Sequence, residues 1–182
     1  MFQQAAIVAL RIALFRAGPQ DFPHAPALTQ LVVPLAVVAS FLQFRLTLPF
    51  GQAALQSVAW VAAIAGFTWS LLQARGLASR LRQTLDSLLL VAAAMTLLML
   101  APLAALAPHV LRIAADPKLA ETEVLPAIPL LTVVGVSFWN FLVTAHIYRH
   151  ALDARFAIGV LVAALAGLVT VSFSRALAAM AG

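Results

Sequence analysis

Long apolar stretches separated by short polar segments dominate the chain. Five of them approach the ~20 mostly apolar residues that a helix needs to cross a bilayer. They are residues 27–44, 53–74, 87–107, 126–148 and 156–174. Pro34 and Pro102 lie inside two of these stretches, which a membrane helix tolerates because its neighbours can satisfy the freed carbonyl groups. The pattern predicts an all-α fold, a polytopic membrane protein with a bundle of five transmembrane helices.

The first apolar run, residues 1–17, differs from the other five. It is too short to span a bilayer, and Gln4 and Arg11 share one face of the predicted helix. This pattern is typical of an amphipathic helix that lies in the membrane interface. A signal peptide is disfavoured because no positively charged region precedes the run. Residues 18–26 contain three prolines and predict an irregular, extended connector, so we divide the chain into 1–26 and the transmembrane domain 27–182.

Composition supports a membrane protein. Hydrophobic residues make up 64% of the 182 residues and charged residues only 9%, against roughly 25% charged in soluble domains. The basic residues that give the net charge of +5 fall between the apolar runs. We interpret them as topology signals and contacts for membrane lipids, and no nucleic-acid interaction is expected. The chain has no cysteine, which excludes disulfides and thiolate chemistry. Its richness in Ala and Leu favours a bacterial origin.

The basic residues also predict orientation. Arg11, Arg16, Arg75, Arg80, Arg82, Arg149 and Arg155 fall on one side of the predicted topology, and Arg45, Arg112, Lys118 and Arg175 on the other. The richer side is expected to be cytoplasmic. The N-terminus is therefore predicted in the cytoplasm and the C-terminus in the periplasm, with the protein in the bacterial inner membrane. Residues 75–86 form a cytoplasmic, helical connection, and residues 108–125 the longest periplasmic loop.

The fourth apolar stretch contains the most chemically varied segment, SFWNFLVTAHIYRH, residues 137–150. Asn140, Thr144 and Tyr148 follow one another at intervals of four and form a stripe on one helix face. Because polar groups in hydrocarbon cost free energy without partners, the stripe is expected to face other helices or a wet cavity. It either makes interhelical hydrogen bonds or lines a site for a polar ligand, and the first interpretation is favoured.

His146 and His150 are also four residues apart, a spacing at which two imidazoles can meet one metal ion. His24 would be a third ligand if the connector folded back. The favoured interpretation places both histidines at the membrane boundary beside Tyr148 and Arg149, so that no metal site is predicted. They remain candidates for a ligand site together with the polar stripe.

Charged residues are missing from the interior of the five predicted spans, whereas ion-coupled transporters usually keep one there. Asp86 lies at the mouth of the third span, four residues after Arg82, and is interpreted as part of a surface ion pair. The sequence has no Gly-rich phosphate loop, nucleophile elbow or carboxylate pair. We therefore predict no catalytic site, no enzyme activity and no cofactor.

Small residues recur at helical spacing in the second and fifth spans. One row contains Ala62, Gly66 and Ser70, and the other contains Gly159, Ala163 and Gly167. Such rows let helix backbones approach closely, and packing then drives helix association in lipid. Both rows are predicted to be helix-packing surfaces.

The five spans, the N-terminal segment with LFRAGPQDFPHAP at residues 14–26 and the short exterior tail resemble the Yip1 family of small polytopic membrane proteins. The resemblance covers the architecture of most of the chain. It implies a non-enzymatic membrane organiser or trafficking factor, and it assigns no functional residues.

Two functions follow as hypotheses. The first is a non-catalytic membrane protein that acts through helix–helix contacts, as a homo-oligomer or as an accessory or scaffold subunit of a larger complex. The second is a small transporter, channel or lipid- or quinone-binding protein whose site is lined by the stripe of the fourth span and His146.

Overall fold

The computed structural model describes residues 2–181, and side chains up to residue 177. Within these residues six α-helices and no strands are found, so the predicted all-α architecture is confirmed. The helices are α1 (Phe2–Ala13), α2 (Pro26–Phe44), α3 (Phe50–Ala74), α4 (Leu81–Ala115), α5 (Ala127–Ala151) and α6 (Phe156–Ala181). The five after α1 are long and apolar enough to cross a membrane.

Helix α4 is the element that departs most from its predicted bounds. With 35 residues and a rise of 1.5 Å per residue it is about 52 Å long, whereas the hydrocarbon core of a bilayer is about 30 Å thick. Its first turn takes in Arg82 from the predicted 75–86 connection, and its last turns continue through Pro108 to Ala115. The long loop therefore shrinks to a short segment with a 3₁₀ turn at Pro117–Glu121.

The five long helices form a closed ring. Each packs against the next in the order α2, α4, α5, α6, α3 and back to α2, whereas α3 and α4 pack only weakly although they are consecutive in the chain. Helices alternate in direction, so the ring has two ends. The arginine-rich end carries Arg75, Arg80, Arg82, Arg149 and Arg155, and the far end carries Arg45, Arg112, Lys118 and Arg175.

Helix α1 packs outside the ring against α4 and α5, with Ala5, Ala9 and Ile12 buried. Its last carbonyl, that of Ala13, accepts a hydrogen bond of 3.0 Å from Trp139 Nε1. Trp139 lies twelve residues before the end of α5, which corresponds to about 18 Å along the helix. Helix α1 therefore ends well inside the length of α5. An interfacial position for α1 stays a prediction.

The Pro-rich connector is more ordered than the sequence predicted. Residues Pro19–Asp21 form a 3₁₀ turn, in which Asp21 Oδ2 accepts a hydrogen bond of 2.8 Å from the Gly18 amide. Phe22 is buried in the core next to this turn. The expectation of an irregular, extended connector fails at this turn, where the Asp21 carboxylate supplies a local partner for the backbone, whereas Gly18, Phe22 and Ala25 are extended. The connector thus closes one side of the arginine-rich end.

Candidate functional site

The interior of the ring contains two adjoining cavities of about 220 and 330 Å³. Trp60, Asn140 and Val171 belong to the walls of both. The smaller cavity lies toward the arginine-rich end and the larger one toward the far end. Helices α3, α4, α5 and α6 line the first, and all five long helices contribute to the second. We call the two together the central cavity.

The predicted polar stripe of α5 faces this cavity. Asn140, Thr144 and Tyr148 all lie on the wall of its smaller part. The Tyr148 hydroxyl is 3.0 Å from Thr68 Oγ1 on α3, so the two hydroxyl groups share a hydrogen bond across the ring. Asn140 Oδ1 is buried and has no hydrogen-bond partner among the described residues. The stripe therefore has both features that its sequence suggested, an interhelical hydrogen bond at one end and an open polar group at the other.

Polar residues of the other helices complete the far-end part of the cavity. Ser40 and Gln43 come from α2, Gln56 from α3, Thr96 from α4, and Ser174 and Arg175 from α6. Ser174 Oγ is, like Asn140 Oδ1, buried without a hydrogen-bond partner in the described part of the chain. A buried polar atom without a partner costs about 1–3 kcal/mol. Two such atoms therefore belong to residues of one cavity wall.

The rest of the cavity wall is mainly apolar. In the smaller part the side chains of Ile64, Leu88 and Ala163 surround the polar stripe, and the exposed Gly167 also belongs to the wall. The two further hydroxyl groups of this wall, those of Ser137 and Thr170, are already hydrogen-bonded. The cavity is thus polar toward the far end and along one stripe, and mainly apolar elsewhere. This distribution of chemistry is the one expected of a pocket for an amphipathic molecule.

The structure separates His146 from the polar stripe. Its Nε2 donates a hydrogen bond of 2.8 Å to the carbonyl oxygen of Ala17, and Phe15 packs edge-on against its ring, at 5.1 Å between ring centroids. His146 is 2% exposed and fastens the connector to α5 outside the ring. The hypothesis that His146 lines the same site as Asn140 was wrong, because the two residues lie on different faces of α5 and His146 packs against the N-terminal segment.

His146 and His150 do lie together, with ring centroids 4.6 Å apart, but they do not gain a third metal ligand. His24 lies instead in a surface pocket beside Asp86. Across residues 2–177 no group of three His, Asp or Glu side chains is close enough to share a metal ion. His150 lines a separate pocket at the arginine-rich end, where the Arg80 guanidinium donates a 3.0 Å hydrogen bond to the carbonyl oxygen of Ala151 and caps α5.

The two small-residue rows have different surroundings. A Cβ atom at Gly159 would collide with the carbonyl oxygen of Ala145, so this glycine permits the close packing of α6 on α5. Ala163 is buried, and Gly167 borders the central cavity. Ala62, Gly66 and Ser70 are exposed on the outer face of α3, where a Cβ atom at Gly66 meets nothing within 4 Å. This second row does not pack within the described chain.

Asp86 departs from its predicted role. It is 1% exposed, and its Oδ2 accepts a hydrogen bond of 2.9 Å from the Thr29 hydroxyl on α2. In the described part of the chain the ion pairs are those of Glu123 with His109 and Arg112, so the expected surface pair of Asp86 with Arg82 was wrong. Burial of Asp86 between α2 and α4 explains the difference, because the carboxylate faces the seam and Arg82 faces outward.

Comparison of the chain with protein-family models, with curated proteins and with solved structures gives no match. The resemblance to the Yip1 family therefore stays a prediction. The central cavity was found from its geometry alone. Sequence reasoning identified the α5 wall of the cavity but missed Ser174, Gln56 and Thr96, because no pattern in the sequence told which helices are neighbours.

Proposed function

We propose that this protein is a non-catalytic membrane protein that binds an amphipathic, lipid-like molecule in the central cavity. The observation that carries the proposal is the pair of buried, unpartnered oxygens of Asn140 and Ser174 on the wall of a cavity lined by all five long helices. A ligand that donates hydrogen bonds to these oxygens would offset their desolvation cost.

The arrangement of the wall favours one orientation of the ligand. Its polar head would lie toward the far end, where Gln43, Gln56 and Arg175 supply hydrogen-bond donors and a positive charge. Its apolar tail would follow Ile64 and Leu88 toward the arginine-rich end. A headgroup with oxygen acceptors and a hydroxyl or amine donor, joined to a hydrocarbon or isoprenoid chain, meets both requirements.

The experiment is native mass spectrometry of the protein released from nanodiscs, followed by identification of the retained lipid. Gly167→Leu is the decisive variant, because Gly167 belongs to the wall of the smaller part of the cavity and a leucine adds a bulky side chain to that wall. We expect it to lower the retained lipid by at least tenfold, and Asn140→Leu to have a similar effect. Gly66→Leu places the same side chain on the outer face of α3 and is the matched control.

Equal lipid retention by wild type, Gly167→Leu and Gly66→Leu would refute the proposal. A loss that is equally large in Gly66→Leu would also refute it, because that side chain lies outside the ring.

The second candidate function is that of a self-associating organiser or accessory subunit. It is favoured by the row Ala62, Gly66 and Ser70, which is exposed although its small side chains allow close helix contact. For this second function, Gly66→Leu is the variant expected to have an effect and Gly167→Leu is the control. The variant should shift the wild-type oligomer toward the monomer in mild detergent, whereas Gly167→Leu should not, so the same two variants separate the two functions. A wild-type protein that is monomeric at all concentrations would eliminate this candidate.

We propose the bacterial inner membrane as its location, with the arginine-rich end in the cytoplasm, on the strength of the distribution of basic residues. Because the chain has no cysteine, single cysteines can be introduced without background. An impermeant thiol reagent added to intact spheroplasts should label Thr122→Cys at the far end and leave Ser79→Cys unlabelled. The opposite labelling would invert the proposed orientation.

A further inference from the structure

A second pocket, of about 430 Å³, opens on the outside of the ring at the arginine-rich end. It lies at the seam between the first turns of α2 and α4, and its polar wall consists of His24, Thr29, Ser79, Arg82 and Asp86. It shares no residue with the central cavity. We call it the seam pocket.

Asp86 is the reason to regard the seam pocket as a binding site. Its side chain is 1% exposed and lines the pocket, yet Oδ1 has no hydrogen-bond partner among the described residues. The other oxygen, Oδ2, is held by the Thr29 hydroxyl, which fixes the carboxylate. A buried carboxylate with one open oxygen is expensive unless a donor or a cation meets it. A positively charged donor is the partner that this oxygen lacks.

The remaining charges of the pocket exclude a simple cation. Arg82 precedes Asp86 by one helical turn and belongs to the wall of the same pocket, and its side chain is exposed. A metal ion would need several further oxygen ligands, and Asp86 is the sole carboxylate on this wall. A plain anion would be repelled by Asp86. The pair of one carboxylate and one guanidinium is instead complementary to a zwitterion, with an ammonium group inside and an anionic group at the mouth.

The distance of the seam pocket from the starts of α2 and α4 agrees with the depth at which phospholipid headgroups lie in a membrane. Thr29 is the fourth residue of α2 and Asp86 the sixth of α4, which puts them about 4.5 and 7.5 Å from the helix starts. The headgroup regions add roughly 5–8 Å to each side of the hydrocarbon core. Leu81 and Leu85 supply an apolar flank on which the glycerol and the first acyl carbons can lie.

We propose that the seam pocket binds the phosphoethanolamine headgroup of a membrane phospholipid. The primary ammonium donates hydrogen bonds to Asp86 Oδ1 and the Thr29 hydroxyl oxygen, and Arg82 pairs with the phosphate at the mouth. The short ethanolamine link matches the one-turn offset of the two charged residues. A choline headgroup has no N–H to donate, and a glycerol headgroup has no positive charge, so neither satisfies Asp86.

The test is the thermal unfolding temperature of the intact protein in nanodiscs. A phosphatidylcholine bilayer is the reference. Separate samples receive the same amount of one other lipid: phosphatidylethanolamine, one of its N-methylated derivatives, or phosphatidylglycerol. We expect phosphatidylethanolamine to raise the unfolding temperature by several degrees, each N-methylation to reduce the increase, and phosphatidylglycerol to give none. Soluble phosphoethanolamine, added to the phosphatidylcholine reference, tells whether the group can also come from free solution.

Asp86→Asn keeps the size of the side chain and its link to Thr29 but removes the charge, so it should abolish the preference for phosphatidylethanolamine. Glu121→Gln, an exposed carboxylate at the far end, is the matched control and should retain the preference. Arg82→Gln changes a surface residue and should reduce the increase in unfolding temperature that phosphatidylethanolamine causes. This variant keeps the test valid if Asp86→Asn does not fold. An equal effect of all headgroups on the wild type, or an unchanged preference in Asp86→Asn, would overturn the proposal. A comparable increase caused by Mg²⁺ alone in phosphatidylcholine would overturn it as well.

Discussion

The two halves of α5 differ both in composition and in surroundings: the first is almost entirely apolar, and the second carries most of the polar residues of the helix. Residues 127–139 contain no buried side chain, and Ile128 is 81% exposed. In residues 140–151 half of the side chains are buried, and Ile147 is 0% exposed. The first half belongs to the far end and faces lipid. The second half is enclosed by α4, α6 and the connector.

The N-terminal segment accounts for part of this difference. It runs beside α5 from Trp139, which bonds to Ala13, to His146, which bonds to Ala17. Trp139 is thus the point at which cover by the N-terminal segment begins. The comparison teaches that the half of this helix that carries polar residues is the half that packs against protein, whereas the more apolar half stays exposed.

The largest expected effect comes from Gly159, where α6 contacts the packed half of α5. Gly159→Ala places a Cβ atom on the Ala145 carbonyl, a backbone group that cannot rotate away. We expect a loss of about 3 kcal/mol in the free energy of unfolding, the upper end of the range for overpacking. Unfolding with sodium dodecyl sulfate in mixed micelles measures it.

Gly135→Ala in the lipid-facing half of α5 is the control, because a Cβ atom there meets nothing within 4 Å. Helix propensity predicts a gain of up to about 1 kcal/mol for this variant. Similar losses at both glycines would mean that the two halves of α5 do not differ in packing.

Isoleucine truncation compares the two halves directly. Ile147→Ala opens a cavity in the core, and we expect a loss of about 2 kcal/mol. This is the lower end of the range in water-soluble proteins, since lipid is itself apolar and only the lost packing counts. Ile128→Ala should change the free energy of unfolding by less than about 0.5 kcal/mol, the usual range for surface substitutions. A cost at Ile128 equal to that at Ile147 would show that another surface covers the first half of α5.

The smallest expected effect concerns the hydrogen bond between Thr68 and Tyr148. Thr68→Val removes the partner of the Tyr148 hydroxyl, and hydrogen bonds between membrane helices average about 0.6 kcal/mol. A double-mutant cycle with Tyr148→Phe should give a coupling of this size. Thr132→Val is the control, because the Thr132 hydroxyl bonds only to the Ile128 carbonyl of its own helix. A coupling of zero would mean that this hydrogen bond does not stabilise the contact between α3 and α5.

Much of the fold could be predicted because a bilayer imposes helix length and saturation of backbone hydrogen bonds. The five spans and the interior face of Asn140, Thr144 and Tyr148 follow from these constraints alone. The bounds of α4 were harder to predict, since a helix can continue beyond the apolar stretch with polar residues such as Arg82 and Arg112. No rule of hydropathy marks that continuation.

Other features depend on which helices are neighbours, and this information is not contained in a local pattern. Ser174 and Gln56 read as ordinary polar residues until the ring brings them beside Asn140. Asp86 was interpreted from its own helix, by its spacing from Arg82, whereas its actual partner, Thr29, is 57 positions away in the chain. The spacing of apolar residues likewise gives no sign that the connector folds against His146.

The order of helices around the ring has a consequence for biosynthesis. Helix α3 joins the ring through α6, which is synthesised after the other described helices. Before α6 is present, α3 packs against α2 on one side, its other side is uncovered, and the wall of the central cavity is incomplete. A chain arrested before α6 would therefore contain the first four long helices without a closed cavity between them.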